Sequence, residues 1–217
     1  NVVLDVISHG EAISGNVIAE IPGETDEIVL IGGHLDSWDL GTGAIDDVAG
    51  IGITVGAAKL ILDLNKTPRR TIRIVMFGSE EVGLIGAKAY AKKYRDRLDK
   101  HIVGAESDFG AGKIWKFDTN FAQEKLFLAE AMHKVLEPLG IGRGDNNASG
   151  GPDIGPLREL GVPAVTLKQN GWDYFDYHHT ADDTLDKIDK ADIAQNVAAY
   201  AAFVWMAANI DGHFRKD

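Results

Sequence analysis

The sequence of 217 residues contains no cysteine. A thiolate metal site, a disulfide scaffold and a cysteine nucleophile are therefore excluded, and any bound metal ion must be held by histidine, aspartate or glutamate. The chain also lacks an apolar run close to the ~18 residues of a membrane span. Its first residues lack the basic start and the apolar core of a signal peptide. We therefore expect neither a membrane span nor a signal peptide in this sequence.

Basic residues are scarce as well, with 22 Lys and Arg against 33 Asp and Glu and a formal net charge of −11. This balance argues against a nucleic-acid partner, which would favour a basic face. The hydrophobic content of 45% and the charged content of 25% are those of an ordinary globular protein. The length suits one α/β domain with a sizeable core, so we predict a single domain over residues 1–217.

Two common catalytic and binding motifs do not fit the sequence. No G-x-S-x-G segment occurs, which excludes the commonest serine hydrolase of α/β folds. The Gly-rich segment GTGAIDDVAG carries Asp46 at the third glycine position of a dinucleotide fingerprint. Because a carboxylate there would repel a pyrophosphate, we reject nucleotide binding.

Hydrophobic periodicity predicts strands that alternate with helices. The predicted strands cover residues 2–7, 16–21, 28–32, 70–77, 101–105, 113–118 and 163–167, the sixth of them at a sheet edge. The predicted helices cover residues 47–65, 83–99, 121–139, 152–160 and 191–210, with a flexible loop at 140–151 and an aromatic loop at 172–177. This alternation favours an α/β fold in three layers, a mixed and mainly parallel sheet with helices on both faces.

Metal-capable side chains recur in the loops beyond the predicted strands. They are His34 with Asp36, then Asp46, Glu80 with Glu81, Asp108, and His178 with His179. Taken singly, each has an ordinary explanation as a helix cap, a first-turn carboxylate, a turn former or a solvated loop residue. Together they lie where open α/β sheets place their chemistry, and their types are those that zinc or a similar metal takes in a hydrolytic site. The joint pattern therefore predicts a metal site.

Residues for substrate binding have two readings each. Loop 149–153 and the helix that starts at Pro152 either bind a substrate carboxylate through backbone N–H groups or form an ordinary loop with proline in the first helical turn. Four aromatic side chains either wall a pocket for an apolar group or pack in the core and loops. They are Trp38, Trp172, Tyr174 and Phe175.

Four segments in combination resemble the M28 family of zinc-dependent exopeptidases, and within it the carboxypeptidase Q type. They are GGHLDSWDLGTGAIDD, FGSEEVGLIGAKAY, ESDFG and HHTADDTLDKID. The resemblance extends from about residue 16 over nearly all of the remaining chain. It implies a three-layer zinc-exopeptidase fold and the hydrolysis of dipeptides or short peptides. It also implies a peptide as the substrate, leaves a homodimer open, and suggests a secreted or periplasmic full-length protein.

The resemblance further implies a site with two Zn²⁺ ions. Asp46 would bridge both ions, because a carboxylate offers one oxygen to each cation. His34 and Asp108 would complete the first zinc site. Glu81 and His179 would complete the second.

Two further roles follow from the same resemblance. Glu80 would be the general base that takes a proton from a metal-bridging water. Asp36 would orient the imidazole of His34, as metal-bound histidines usually require. His179 is preferred to His178 because it directly precedes a threonine, as the ligand in the family motif does, but the choice between the two stays open.

The sequence also departs from the family pattern. Proteins of the carboxypeptidase Q type carry a preceding segment and an inserted protease-associated domain, so we expect a fragment or a minimal catalytic domain here. Val48 stands where small or polar residues are common. Two alternatives remain: a non-catalytic receptor-like or binding domain of the same fold, and a one-zinc acyltransferase related to glutaminyl cyclase. The filled ligand positions favour the peptidase.

Overall fold

The structure, a computed structural model, describes residues 2–7 and 9–215. Within these residues seven strands form one sheet in the order β1-β3-β2-β4-β7-β5-β6. The strands are β1 (Val17–Ile21), β2 (Thr25–His34), β3 (Arg70–Phe77), β4 (His101–Glu106), β5 (Ile114–Asn120), β6 (Gly142–Arg143) and β7 (Ala164–Gln169). The α-helices are α1 (Ala49–Asp63), α2 (Ile85–Lys93), α3 (Leu126–Leu136), α4 (Gly155–Glu159), α5 (Tyr174–Tyr177) and α6 (Lys190–Asn209).

The sheet is mixed with a parallel centre. Strands β3, β2, β4 and β7 are neighbours and run parallel, whereas β1 is antiparallel to β3 at one edge. At the other side, β5 is antiparallel to β7 and carries β6 outside it. Because β2 lies between β3 and β4, the connection from β2 to β3 leads to one side of β2. The connection from β3 to β4 then leads to its other side. A crevice forms beyond the carboxyl ends of strands at such a point.

Two apolar cores cover the two faces of the sheet. In β2, Val29 and Ile31 point to one core, and Ile28 and Leu30 point to the other, all of them buried. This alternation follows from the two-residue period of a strand. Helices α1, α3 and α6 pack on the first face, and α2 and α4 on the second. The predicted three-layer α/β/α sandwich is therefore confirmed. No helix among the described residues has the length and apolarity needed to cross a membrane.

The predicted strand at residues 2–7 is wrong. These residues form an irregular segment, and the side chains of Val2, Val3 and Leu4 are exposed. An apolar, β-branched composition shows that a segment suits a strand, but it does not supply a partner to pair with. Here β1 takes the place beside β3, and the segment before it stays outside the sheet.

Other differences concern boundaries. The strand predicted at 113–118 is second from the edge, because the short β6 lies within the loop predicted at 140–151 and pairs with it. The helix predicted at 83–99 divides into α2 and a 3-10 helix at Arg95–Lys100. The helix predicted at 121–139 is α-helical only over α3, with 3-10 turns on both sides.

Helix α1 begins later than predicted, because Ala44–Val48 form an irregular turn. Asp46 and Asp47 have φ values of −131° and −138°, which are not helical. The glycines of α1 allow a close approach to the sheet, as expected. A Cβ atom on Gly50 would overlap the carbonyl oxygen of Ser107, which follows β4, and the carboxylate of Asp47.

This close approach predicts opposite effects for two glycines of α1. Gly50→Ala should destabilise the protein by about 1–3 kcal/mol through overpacking. Gly52→Ala is the matched control, because a Cβ atom there meets nothing within 4 Å. It should stabilise the protein by about 0.5–1 kcal/mol, since alanine is the better helix former. Urea unfolding measures both changes, and a stabilised Gly50→Ala variant would contradict the tight packing.

Candidate metal centre

Four neighbouring parallel strands deliver the predicted site residues to one edge of the sheet. His34 is the last residue of β2, and Glu80 and Glu81 lie in the loop after β3. Asp108 follows β4 by two residues, and His179 lies in the loop that follows β7 and α5. Because parallel strands end at the same edge, residues far apart in sequence meet there.

Asp46 lies at the centre of the cluster and is buried. Its Oδ1 atom is 3.0 Å from Nε2 of His34. Its Oδ2 atom is 3.3 Å from Nε2 of His178 and 3.3 Å from Nε2 of His179. The two oxygens of one carboxylate thus face imidazoles that come from opposite ends of the chain.

The first group of possible metal ligands comprises His34, Asp46 and Asp108. Their ligand atoms lie within 4.8 Å of one another, and Oδ1 of Asp108 is 3.7 Å from Nε2 of His34. Nδ1 of His34 is 2.8 Å from the carbonyl oxygen of Asp36. In the neutral imidazole this contact keeps the proton on Nδ1, so the lone pair of Nε2 faces the two carboxylates.

The second group lies on the other side of Asp46. Nε2 of His179 is 2.9 Å from Oε2 of Glu81. The other oxygen of Glu81, Oε1, is buried and has no hydrogen-bond partner within the described part of the chain. An unpaired buried carboxylate oxygen is costly, and a cation at this point would satisfy it. His178 stacks on His179 with ring centroids 3.6 Å apart, and Asp46, His178 and His179 together form a group that could hold a metal ion.

Asp36 contacts the imidazole of His34 through its backbone. Its carbonyl oxygen, not its carboxylate, holds the imidazole of His34, because Oδ1 lies 3.8 Å from Nδ1. The carboxylate instead accepts hydrogen bonds from the backbone N–H groups of Glu80, at 2.9 Å, and Glu81, at 3.2 Å. Asp36 therefore connects the loop after β3 to the loop after β2 and fixes the backbone position of Glu80 and Glu81.

Left-handed backbone occurs at two points of the cluster. Ser79, which directly precedes Glu80, has a φ of 58°, and His179 has a φ of 60°. Residues other than glycine rarely adopt this conformation, and such strain is often found at functional sites. Both positions lie in loops that carry side chains of the cluster.

Asp47 supports the cluster without facing it. Its Oδ2 atom accepts the backbone N–H of His34 at 3.0 Å, and its Oδ1 atom accepts that of Gly50 at 3.2 Å. Asp47 therefore links the first turn of α1 to the end of β2.

Asp183 is a positioning residue that the sequence reading missed. Its buried carboxylate accepts the backbone N–H of Ile45 at 2.5 Å and that of Asp46 at 3.2 Å. Its carbonyl oxygen accepts the N–H of Thr42 at 2.8 Å. The only signal in the sequence was its place in the segment T-x-x-D-T after His179.

The carboxylates of the cluster favour a positive charge among them. Burial alone would lower the pKa of His34, but the nearby carboxylates of Asp108 and Asp46 outweigh burial and raise this pKa to about 12. Burial raises the pKa of Glu80 to about 7. Without a cation the cluster therefore binds protons tightly. Metal ions displace such protons, so the donor set fits a divalent metal.

A second pair of acids lies behind Asp108. Oε2 of Glu106, the last residue of β4, accepts the backbone N–H of Asp153 at 2.7 Å. Oε1 of Glu106 and both carboxylate oxygens of Asp153 are buried and have no hydrogen-bond partner among the described residues. Burial raises the pKa of both carboxyl groups. The sequence placed Asp153 in a loop near the site but did not indicate this pair.

A cavity of about 620 Å³ opens beside Asp108. Its walls include Phe109, Trp115, Ser149, Pro152, Leu167 and Asn170. Its size and its mixture of apolar walls with a few polar groups are typical of a ligand site. Loop 149–153 therefore lines the cavity, whereas Trp172 is 91% exposed and Tyr174 stacks on Phe109 at 4.6 Å.

Comparison with known proteins identifies the relatives of this chain. The sequence model described as peptidase family M28 matches residues 16–204. Carboxypeptidase Q of Rattus norvegicus and of Homo sapiens are each 32% identical to the chain over 206 residues. These matches cover 94% of the chain and 43% of each relative. The chain thus spans less than half the length of these curated relatives.

Solved structures agree with the sequence comparison. A structure described as a peptidase M28 precursor from Shewanella amazonensis SB2B is 56% identical, with a TM-score of 0.90, over 93% of this chain and 46% of that one. The zinc aminopeptidase BSAP from Bacillus subtilis is 21% identical, with a TM-score of 0.70, over 90% of this chain and 50% of that one. At this identity the second match shows a shared fold only.

The buried acids predict a stability that falls as pH rises. Burial raises the folded-state pKa of Glu106 and Asp153, the latter to about 7, whereas carboxyl groups of an unfolded chain titrate near ~4. The folded state therefore binds more protons between about pH 4 and pH 7, and stability is lost through that window. Glu106→Gln removes one of these two acids. The unfolding free energy of this variant should therefore fall less steeply than that of the parent as the pH rises from about 4 to about 7.

The measurement is urea unfolding of metal-free protein at several pH values. Glu159→Gln is the matched control, because Glu159 is exposed on α4, and it should follow the parent profile. Parallel profiles for Glu106→Gln and the parent would show that Glu106 takes up no extra proton in the folded state.

Proposed function

The chain belongs to peptidase family M28, and we propose that it is a zinc-dependent exopeptidase that hydrolyses dipeptides or short peptides. The observation that carries the proposal is the position of Asp46. Its Oδ1 atom faces His34 at 3.0 Å and its Oδ2 atom faces His179 at 3.3 Å. A single carboxylate between two groups of ligand atoms suits a bridge between two cations.

We assign each zinc ion its own ligands from this chain. His34 and Asp108 would hold one ion, Glu81 and His179 would hold the other, and Asp46 would bind both. Two imidazoles and three carboxylates suit zinc. When bound, two zinc ions lower the pKa of a shared water and stabilise negative charge on the attacked carbonyl oxygen.

Glu80 is the general base in this proposal. Its backbone is fixed by Asp36 at 2.9 Å, and burial raises its pKa to about 7 in the absence of metal. Bound cations would lower this pKa and keep the carboxylate ionised at neutral pH. Glu80 then takes a proton from the attacking water and delivers it to the leaving amine.

The proposal is tested by metal content and turnover of the same sample. We expect two zinc ions per chain by mass spectrometry, and hydrolysis of dipeptides that a chelator abolishes and zinc restores. Parallel assays of free, N-acetylated and C-amidated dipeptides show which end of the substrate is recognised. Two bound ions without turnover would support a non-catalytic binding domain. One ion per chain would support an acyltransferase related to glutaminyl cyclase.

Glu80→Gln should keep the metal and lose the reaction. Glutamine preserves the shape of the side chain but cannot accept the proton, so turnover should fall at least about 100-fold. Zinc content should stay at the parent value, because Glu80 is not a proposed ligand. A variant that turns over at a near-parental rate would remove Glu80 from the role of base.

Asp46→Ala should lose both zinc ions, because the bridging carboxylate serves both. Asp108→Ala is the comparison, since Asp108 is assigned to one ion and its loss should leave the other bound. Zinc content after dialysis against buffer with dilute zinc measures both. Full occupancy in the Asp46→Ala variant would contradict the bridging role.

A further inference from the structure

We propose that Trp38 is a positioning residue for Glu81 and His179, and that it selectively strengthens the zinc site that these two residues form. The proposal rests on the proposed function, because it uses the assignment of Glu81 and His179 to one ion. It adds a residue that holds the ligands without binding the metal itself.

The indole of Trp38 contacts both proposed ligands of that ion. Its Nε1–H donates a hydrogen bond to Oε2 of Glu81 at 2.9 Å. Its ring centroid lies 5.6 Å from that of His179, with the two planes tilted by 49°. One side chain therefore limits the rotation of the carboxylate and of the imidazole together.

A neutral donor is well suited to this position. The N–H group fixes one oxygen of Glu81 and leaves the negative charge of the carboxylate uncompensated. The other oxygen, Oε1, stays buried and without a hydrogen-bond partner in the described part of the chain. A lysine or arginine in the place of Trp38 would instead compete with the cation.

The loop that carries Trp38 is held at both ends. After β2, the N–H of Leu35 donates to the carbonyl oxygen of Phe77 at 2.7 Å, and the N–H of Thr42 donates to that of Asp183 at 2.8 Å. The loop is thus bound to the end of β3, from which Glu81 follows, and to the segment after His179. Trp38 lies between these two attachments and reaches both ligands.

The contact can be removed with little risk to the fold. Trp38 is 48% exposed, so Trp38→Phe removes the N–H group but little buried area. Substitution of a residue that holds a metal ligand typically costs about 10–100-fold in metal affinity. We expect a loss of this size for one zinc ion and an unchanged affinity for the other. Trp38→Leu, which lacks both the donor and the ring, should show a selective loss at least as large.

Calorimetric titration of metal-free protein with zinc measures both affinities. Trp205→Phe is the matched control, because Trp205 lies on α6 against the core of the first face and its substitution should leave both affinities unchanged. Circular dichroism and urea unfolding establish that each variant is folded. At saturating zinc, Trp38→Phe should recover the kcat and KM of the parent, because only metal binding was weakened.

The possible results separate three cases. If the parent binds two zinc ions and Trp38→Phe binds both with parental affinities, Trp38 does not position the ligands while the proposed function stands. A raised KM at saturating zinc with unchanged zinc affinities would make Trp38 a wall of the substrate site and overturn the proposal. If the parent itself binds fewer than two ions, the proposed function fails, and the role of Trp38 fails with it.

Discussion

The centre depends on two hydrogen bonds that the carboxylate of Asp183 accepts from the backbone N–H groups of Ile45 and Asp46. Asp46 lies in an irregular turn, where no helix or strand ladder fixes the direction of its carboxylate. The carboxylate of Asp183 binds two consecutive N–H groups of this turn, 138 and 137 positions away in the sequence. The segment that carries His179 is thereby joined to the turn that carries Asp46. Without these hydrogen bonds, neither helix nor strand pairing would hold Asp46 near the imidazoles of His178 and His179.

The cluster places several acids where water cannot solvate them. Buried carboxylates are costly unless a positive charge lies close by. In the metal-free chain the proton on His34 supplies that charge, since the nearby carboxylates of Asp108 and Asp46 raise its pKa against the effect of burial. The backbone bonds of Asp47 to His34 and Gly50 hold a further acid in place. The acids of the cluster therefore favour cation binding, and the two apolar cores stabilise the fold that holds these acids together.

The sequence predicted those features that follow from periodicity and strand direction. The strand at Arg70–Phe77 was found with its correct bounds, because its β-branched and apolar residues run up to Gly78, which ends the pattern. The convergence of His34 and Asp108 followed from the rule that parallel strands end at one edge. By contrast, the carboxylate of Asp36 and the indole of Trp38 could not be placed, because their partners depend on loop geometry. The segment at 2–7 was wrong because a β-type composition does not show whether a partner strand is available.

The hydrogen bonds that position the centre share one property, which is that their N–H donors are neutral. Trp38 offers an indole N–H to Glu81, and Asp36 accepts from the amides of the loop after β3. Among the described residues, the ion pairs of Asp46 and Glu81 involve imidazoles alone. A guanidinium cannot be deprotonated in a protein, and an ammonium does so only with difficulty at neutral pH, so either would occupy the site permanently. An imidazole can release its proton and bind the metal with the same nitrogen. A metal ion can thus replace the proton of a histidine while the side chain keeps its place.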